Sequence, residues 1–277
     1  MSSFNILMVQ VRLLCSPDLK IPSMQLSRYM KENITGRETV LLNLPKELET
    51  IIGDYSKGVT SYDKLIDKAM VENIIPEPMG AWEYTAKPVL ESLPGIVKKH
   101  PELKIKCYSN SSLKHAEMQT ASKQARLTLR TIITKKVEHI KWRNTLNQSL
   151  KIENQALKIE AGEIINKTAR GSWVIDGFPG GKTKKMLKEA GIQAQCLYFG
   201  LPYYFNPLMS LKRKMANHSV YDNELEKHVL YHIKYVKDYL YAERKRDIAH
   251  YRWSRDNFHV MLHKMEEKEI AILDNIL

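Results

Sequence analysis

A glycine-rich stretch, residues 176–183, carries the clearest chemical signal in this sequence. It reads Asp-Gly-Phe-Pro-Gly-Gly-Lys-Thr and stands between an apolar run and a helical pattern. Glycines let backbone N–H groups approach a ligand, and a helix start and a lysine add positive charge. The stretch therefore predicts a phosphate or carboxylate site, the alternative being a tight strand-to-helix turn with its lysine in solvent. The candidate contacts are Asp176, Gly177, Gly180, Gly181, Lys182 and Thr183.

The glycine spacing separates this stretch from two nucleotide-binding motifs. A Walker A loop has four residues between its first glycine and Gly-Lys-Ser/Thr, whereas three residues separate Gly177 from Gly181. Residues 173–179 resemble the adenylate kinase signature, but Gly180 stands where that family has an arginine. The chain also lacks a glycine-rich phosphate loop after its first apolar run, so nucleotide-kinase chemistry is not predicted.

Histidines and carboxylates offer a second kind of chemistry, metal binding. His228 and His232 are four residues apart in a helical pattern, the spacing with which one helix face chelates zinc. The glutamate of an HExxH motif is missing, and helix-edge histidines in ordinary polar roles are the alternative. Asp18, Glu77 and Asp176 are acidic residues that a metal-dependent hydrolase with unusual ligands would use. The sequence identifies no cofactor and leaves open whether the protein is an enzyme.

A basic tract offers a third possibility, a nucleic-acid interface. The chain has a net charge of +12 and a pI of about 9.4. Residues 113–170 hold 12 Lys/Arg against 5 Asp/Glu, which is more than half of that excess. Such a footprint favours phosphate-rich partners. The candidate contacts are Arg126, Arg130, Lys135, Lys136, Lys141 and Arg143.

The elements that must position these residues alternate between strands and helices. Short apolar runs followed by turn residues predict five buried strands, and amphipathic patterns between them predict helices. This order predicts an α/β fold with a mostly parallel sheet flanked by helices. The predicted strands are 4–15, 38–44, 104–108, 172–176 and 194–199. The predicted helices between them are 22–33, 61–71, 88–99 and 182–190.

Two long helical tracts interrupt that alternation. Residues 113–168 predict a helical insertion of two or three helices, in which Leu129, Ile133, Val137 and Ile140 recur at helical spacing. Residues 213–277 predict a helical C-terminal tract with an apolar stripe beginning at Leu225. The absence of repeats and Gly/Ser linkers predicts one α/β domain over residues 1–277 that includes both tracts.

Bulk features point to a cytoplasmic protein that does not span a membrane. No apolar run approaches 18 residues, the length of a membrane-spanning helix. The apolar stretch near the N-terminus has no basic residues before it, so a strand is expected there rather than a signal peptide. Cys15, Cys107 and Cys196 each lie in a predicted strand and fit no zinc spacing, as expected of buried free thiols in a reducing compartment.

The order of these landmarks resembles the TraB/ChaN-like superfamily, which includes erythromycin-esterase-like proteins. The resemblance rests on four places spread over most of the chain. They are the sharp loop at residues 15–18, the strand running into Leu-Pro-Lys-Glu at 44–47, the segment 76–82 before a helix, and the glycine-rich residues 177–181 followed by Ala-Gly-Ile at 190–192. The resemblance implies an α/β fold with its site at the strand ends.

The chain departs from that superfamily at the residues of its chemistry. Hydrolytic members carry Gly-x-x-His motifs, whereas residues 15–18 read Cys-Ser-Pro-Asp and residues 177–180 read Gly-Phe-Pro-Gly. The resemblance therefore implies a divergent member without the superfamily's hydrolase chemistry. The placement and composition of the glycine-rich loop lead to the hypothesis that this member binds an anionic ligand or macromolecular partner there. A nucleic-acid-associated protein and a metal-dependent hydrolase with unusual ligands are the alternatives.

Overall fold

The computed structural model describes residues 10–169, 171–200 and 203–258, which divide into two compact units. The sheet unit comprises the described parts of residues 1–115 and 154–200. The helical unit comprises the described parts of residues 116–153 and 201–277. The expectation of one domain over 1–277 stays a prediction.

The sheet unit is built on five parallel strands in the order β3-β2-β4-β1-β5. The prediction of a mostly parallel α/β sheet is confirmed, and each predicted strand has its counterpart. The first predicted strand began at residue 4, and its residues 4–9 lie outside the described chain. The strands are β1 Gln10–Ser16, β2 Thr39–Pro45, β3 Lys104–Ser109, β4 Trp173–Gly177 and β5 Gln193–Tyr198.

Helices cover both faces of this sheet. One face packs against α1 Lys20–Asn33, α2 Glu49–Ser56, α3 Tyr62–Val71 and α4 Met79–Lys99, with Leu14 and Trp173 of the sheet in that core. Two long helices follow β3, namely α5 Ser111–Thr134 and α6 His139–Lys167. Ile164 of α6 and Leu187 of the helix α7 Gly181–Glu189 pack on the opposite face. Side chains of alternate residues along each strand thus pack into two separate cores, one on each face of the sheet.

The start of α4 corrects one expectation. The sequence predicts a helix beginning at Pro88, because proline favours the first helical turn. The helix instead begins at Met79 and carries Pro88 and Pro94 inside it. Proline in a helix interior removes a hydrogen bond and costs about 3 kcal/mol. Burial of Leu90, Leu93 and their neighbours on this helix supplies the offsetting stabilisation.

The helical unit has its own core. It contains parts of α5 and α6 together with α8 Pro207–Asn217, α9 Asp222–Tyr235 and α10 Arg246–Asn257, with a π-helical turn at Val236–Leu240. Trp142, Leu211 and Leu225 are fully buried there, so the predicted stripe beginning at Leu225 does face a core. Residues 259–277 of the predicted C-terminal tract lie outside the described chain. None of the helices described is both long and apolar enough to cross a membrane.

Candidate functional site

The glycine-rich loop lies at the carboxyl edge of the sheet, beside β1 and β2. Cys15 and Ser16 at the end of β1 are in register with Asp176 and Gly177 at the end of β4. The helices after β2 pack on one face of the sheet, whereas α7, which follows β4, packs on the other. Adjacent parallel strands whose connections leave toward opposite faces open a crevice at which α/β proteins bind ligands.

Gly180 sets the shape of the loop. Its φ is +68°, in the left-handed region that residues with a Cβ adopt at a cost. It is also buried, and a Cβ built on it would overlap Cys15 Sγ and come within 3.4 Å of Asp176 Oδ2. Only glycine therefore lets β4 turn into α7 over the end of β1.

The first turn of α7 presents backbone donors at this edge. Within the described chain no side chain caps the N-terminus of the helix, so its first N–H groups donate no hydrogen bond to a capping residue. Gly181 and Lys182 are exposed, and Thr183 is buried. A Cβ on Gly181 would meet no atom within 4 Å, so the space in front of this turn is open. Lys182 Nζ lies 3.2 Å from Asn154 Oδ1 of α6, which holds the ammonium group near the loop.

Asp176 lies beneath the loop rather than at its mouth. Its Oδ1 accepts a hydrogen bond of 2.8 Å from the Gly177 N–H. Its Oδ2 is buried and has no hydrogen-bond partner in the part of the chain that is described. Burial raises the pKa of Asp176 to about 6, although the Thr183 hydroxyl and the Gly177 N–H lower it; the charge of Glu160 raises it further. The carboxyl therefore changes charge close to neutral pH.

A polar network that the sequence did not predict lies next to Asp176. Tyr108 of β3 reaches across β2 and donates a 2.6 Å hydrogen bond to the Ile175 carbonyl of β4. Lys114, in the first turns of α5, lies 3.0 Å from Asn43 Oδ1 and 3.4 Å from Glu160 Oε1. Burial and the charges of Asp176 and Glu160 raise the pKa of the Tyr108 hydroxyl well above its usual value. This network ties three strands to α5 and α6 at the sheet edge.

Part of this network could have been predicted from the sequence. The strand-end rule marks the carboxyl ends of β2 and β3, where Asn43 and Tyr108 lie. Extending the rule by one helical turn would have included Lys114. Glu160 carried no such signal, because it is one acidic residue in a basic helix, and only the return of α6 to the sheet places it beside Lys114.

The acidic candidates do not assemble into a metal centre. Asp18 and Glu77 are both exposed, whereas Asp176 is partly buried, with its Oδ2 close to Gly180. Among the described residues, no three His, Cys, Asp or Glu side chains are grouped so as to hold a metal ion. The metal-dependent hydrolase therefore finds no support in this arrangement.

The two histidines of α9 also have no third ligand among the residues that the structure describes. His232 packs edge-on to Trp142, and its Nε2 lies 3.1 Å from the Thr128 hydroxyl. Burial lowers its pKa to about 4 and lowers the pKa of His228 as well. The His232 ring therefore packs in the helical unit as a neutral group, whereas His228 is only half-buried.

The basic candidates divide into paired and unpaired groups. Arg130 and Lys141 both contact Glu138, at 2.6 and 2.7 Å, and Arg143 lies 2.6 Å from Asp222. The other three are exposed and have no ion-pair partner within the described ranges: Arg126, Lys135 and Lys136. Three of the four apolar residues that recur at helical spacing in this tract are exposed too: Leu129, Ile133 and Ile140.

No protein-family model, curated protein or solved structure matches this chain. The resemblance to the TraB/ChaN-like superfamily therefore stays a prediction that rests on the residues named above.

Proposed function

We propose that the sheet unit is a divergent TraB/ChaN-like domain that binds the anionic group of a ligand or partner at the first turn of α7, without the superfamily's hydrolase chemistry. The observation that carries this proposal is the left-handed Gly180, which turns β4 sharply into a helix whose N-terminus no described side chain caps. Unsatisfied N–H groups and the helix dipole together favour an anion at such a position.

Two neighbouring residues make the position accessible and attractive to an anion. Gly181 leaves the space in front of the helix open, because it has no side chain and none of its neighbours would contact a Cβ there. Lys182 contributes a full positive charge that Asn154 holds by a hydrogen bond without neutralising it. Backbone donors and an ammonium group together match the oxygens of phosphate, sulfate or carboxylate.

Asp176 modulates this site through its charge rather than by direct contact, because its Oδ2 is buried next to Gly180. When the carboxyl is ionised it repels an anion on the other side of the loop, and when it is protonated the repulsion disappears. Anion affinity should therefore be greatest below pH about 6, the pKa of Asp176.

A variant that blocks the turn and removes the lysine tests this proposal. The substitutions Gly181→Val and Lys182→Ala fill the open space and delete the ammonium charge, yet both positions are exposed, so the fold should survive. Sulfate serves as the probe because its charge is constant between about pH 4 and 9. We expect the double variant to bind sulfate at least about tenfold more weakly in calorimetry, because it loses one charged contact and access to the backbone donors.

A lysine on the same helix provides the matched control. Lys185 is exposed, and its ammonium group lies 3.9 Å from Glu189, away from the first turn. The Lys185→Ala variant removes the same charge from α7 and should bind sulfate as the wild type does. Equal sulfate affinity of the wild type and the double variant would remove the site from residues 180–183.

A further inference from the structure

The turn between α5 and α6 exposes three large aliphatic side chains. Within the α5–α6 tip, defined as residues 126–141, the exposed fractions are 51% for Leu129, 71% for Ile133 and 77% for Ile140. The interior of the tip is occupied by other residues, since Leu127 and Val137 pack against the core cluster that contains Trp142. These aliphatic groups are therefore not needed for the core, and their exposure is unfavourable in water.

Basic side chains surround these aliphatic groups. The α5–α6 tip holds five Lys/Arg and one acidic residue, Glu138. Arg126, Leu129, Arg130 and Ile133 follow one another at steps of three, one and three, so they share one exposed stripe of α5. Unpaired lysines 135 and 136 occupy the turn itself. A strongly positive surface that also presents aliphatic carbons needs a partner with negative charge above an apolar interior.

Two classes of polyanion fit the charge, and the aliphatic groups discriminate between them. Single-stranded nucleic acids stack their bases on aromatic rings, and the α5–α6 tip contains no Phe, Tyr or Trp. A bilayer with anionic headgroups accepts leucine and isoleucine about 5–10 Å below its surface while lysine and arginine contact the headgroups. We propose that the α5–α6 tip docks peripherally on an anionic lipid surface through Leu129, Ile133 and Ile140.

Sedimentation of the full chain with lipid vesicles tests this proposal. The wild type should bind phosphatidylcholine vesicles that contain phosphatidylserine and should bind pure phosphatidylcholine far more weakly. The Lys135→Gln, Lys136→Gln variant should lose affinity for the anionic vesicles by about 30-fold, since each lysine near the surface contributes about fivefold. The Ile133→Ser, Ile140→Ser variant should lose at least about tenfold on the same vesicles, because its aliphatic groups no longer leave water.

Matched substitutions elsewhere on the surface serve as controls. Lys234→Gln with Lys237→Gln removes two exposed lysines of the helical unit, and Leu230→Ser with Val71→Ser removes two exposed aliphatic groups. Both controls should bind anionic vesicles as the wild type does. Equal binding to anionic and neutral vesicles overturns the proposal. Full binding of anionic vesicles by the isoleucine variant would also overturn it. A third contrary result is binding of single-stranded RNA that the lysine variant loses and the isoleucine variant keeps.

Discussion

Replacing Gly180 by alanine should lower the free energy of unfolding by about 3 kcal/mol. The left-handed backbone costs a residue with a Cβ about 1–2 kcal/mol, and forcing a methyl group against a packed neighbour costs about 1–3 kcal/mol more. Here that neighbour is the buried Cys15 Sγ. Chemical denaturation of the wild type and the Gly180→Ala variant measures the difference.

Two further variants separate the backbone strain from the steric clash. Gly191 has a φ of +78° but no atom within 4 Å of its would-be Cβ, so Gly191→Ala should cost only about 1 kcal/mol. Adding Cys15→Ala to Gly180→Ala removes the clashing sulfur, and the two substitutions should then be non-additive by at least about 1 kcal/mol. A Gly180→Ala variant no less stable than Gly191→Ala would show that the loop does not pack against β1 as described.

Replacing Asp176 by asparagine should stabilise the protein at pH about 8 and have almost no effect at pH about 4. In the folded protein burial raises the pKa of Asp176 from 3.8 to about 6, so the folded state favours the protonated carboxyl. Stability from this group is full below the unfolded pKa and is lost as the pH rises through about 6. The pKa difference corresponds to about 3 kcal/mol, and we expect a gain of about 2 kcal/mol because asparagine interacts less well with Thr183.

The pH dependence distinguishes this effect from ordinary repacking. Asp67 on α3 is exposed, and Asp67→Asn should change stability by less than about 0.5 kcal/mol at either pH. Subtracting wild-type from variant stability at each pH cancels the other carboxyl groups. A gain for Asp176→Asn that is equal at both pH values, or a loss at the higher one, would mean that the carboxylate is well solvated in the folded state.

Most of the sheet unit could be predicted from the sequence, because buried parallel strands produce short apolar runs that end in turn residues. The fourth strand was predicted at 172–176 and found at Trp173–Gly177. Helix boundaries were harder where packing overrode local preference. Pro88 looked like a helix start, yet burial of its helix against α1 and α2 carries the helix back to Met79.

The candidate site, too, could be predicted only in part from the sequence. The glycine-rich loop was visible because glycine, lysine and a helix start stand together in the sequence. The interactions that set the pKa of Asp176 were not visible in the sequence. Glu160 precedes Asp176 by 16 residues in the chain, and only the return of α6 to the sheet brings its charge close. The exposure of Ile133 and Ile140 was equally hidden, because helical spacing shows which residues share a face and not whether a neighbour covers that face.

Amide spectra of protein carrying isotope-labelled glycine, recorded during a sulfate titration, examine the anion site residue by residue. Sulfate should shift the Gly180 and Gly181 signals saturably, and with higher affinity at pH about 5 than at pH about 8, because Asp176 is neutral at the lower pH. The signals of Gly58 and Gly162, which lie outside the loop, should stay in place. Glycine signals that do not move, or that all drift together without saturation, would contradict an anion site at the start of α7.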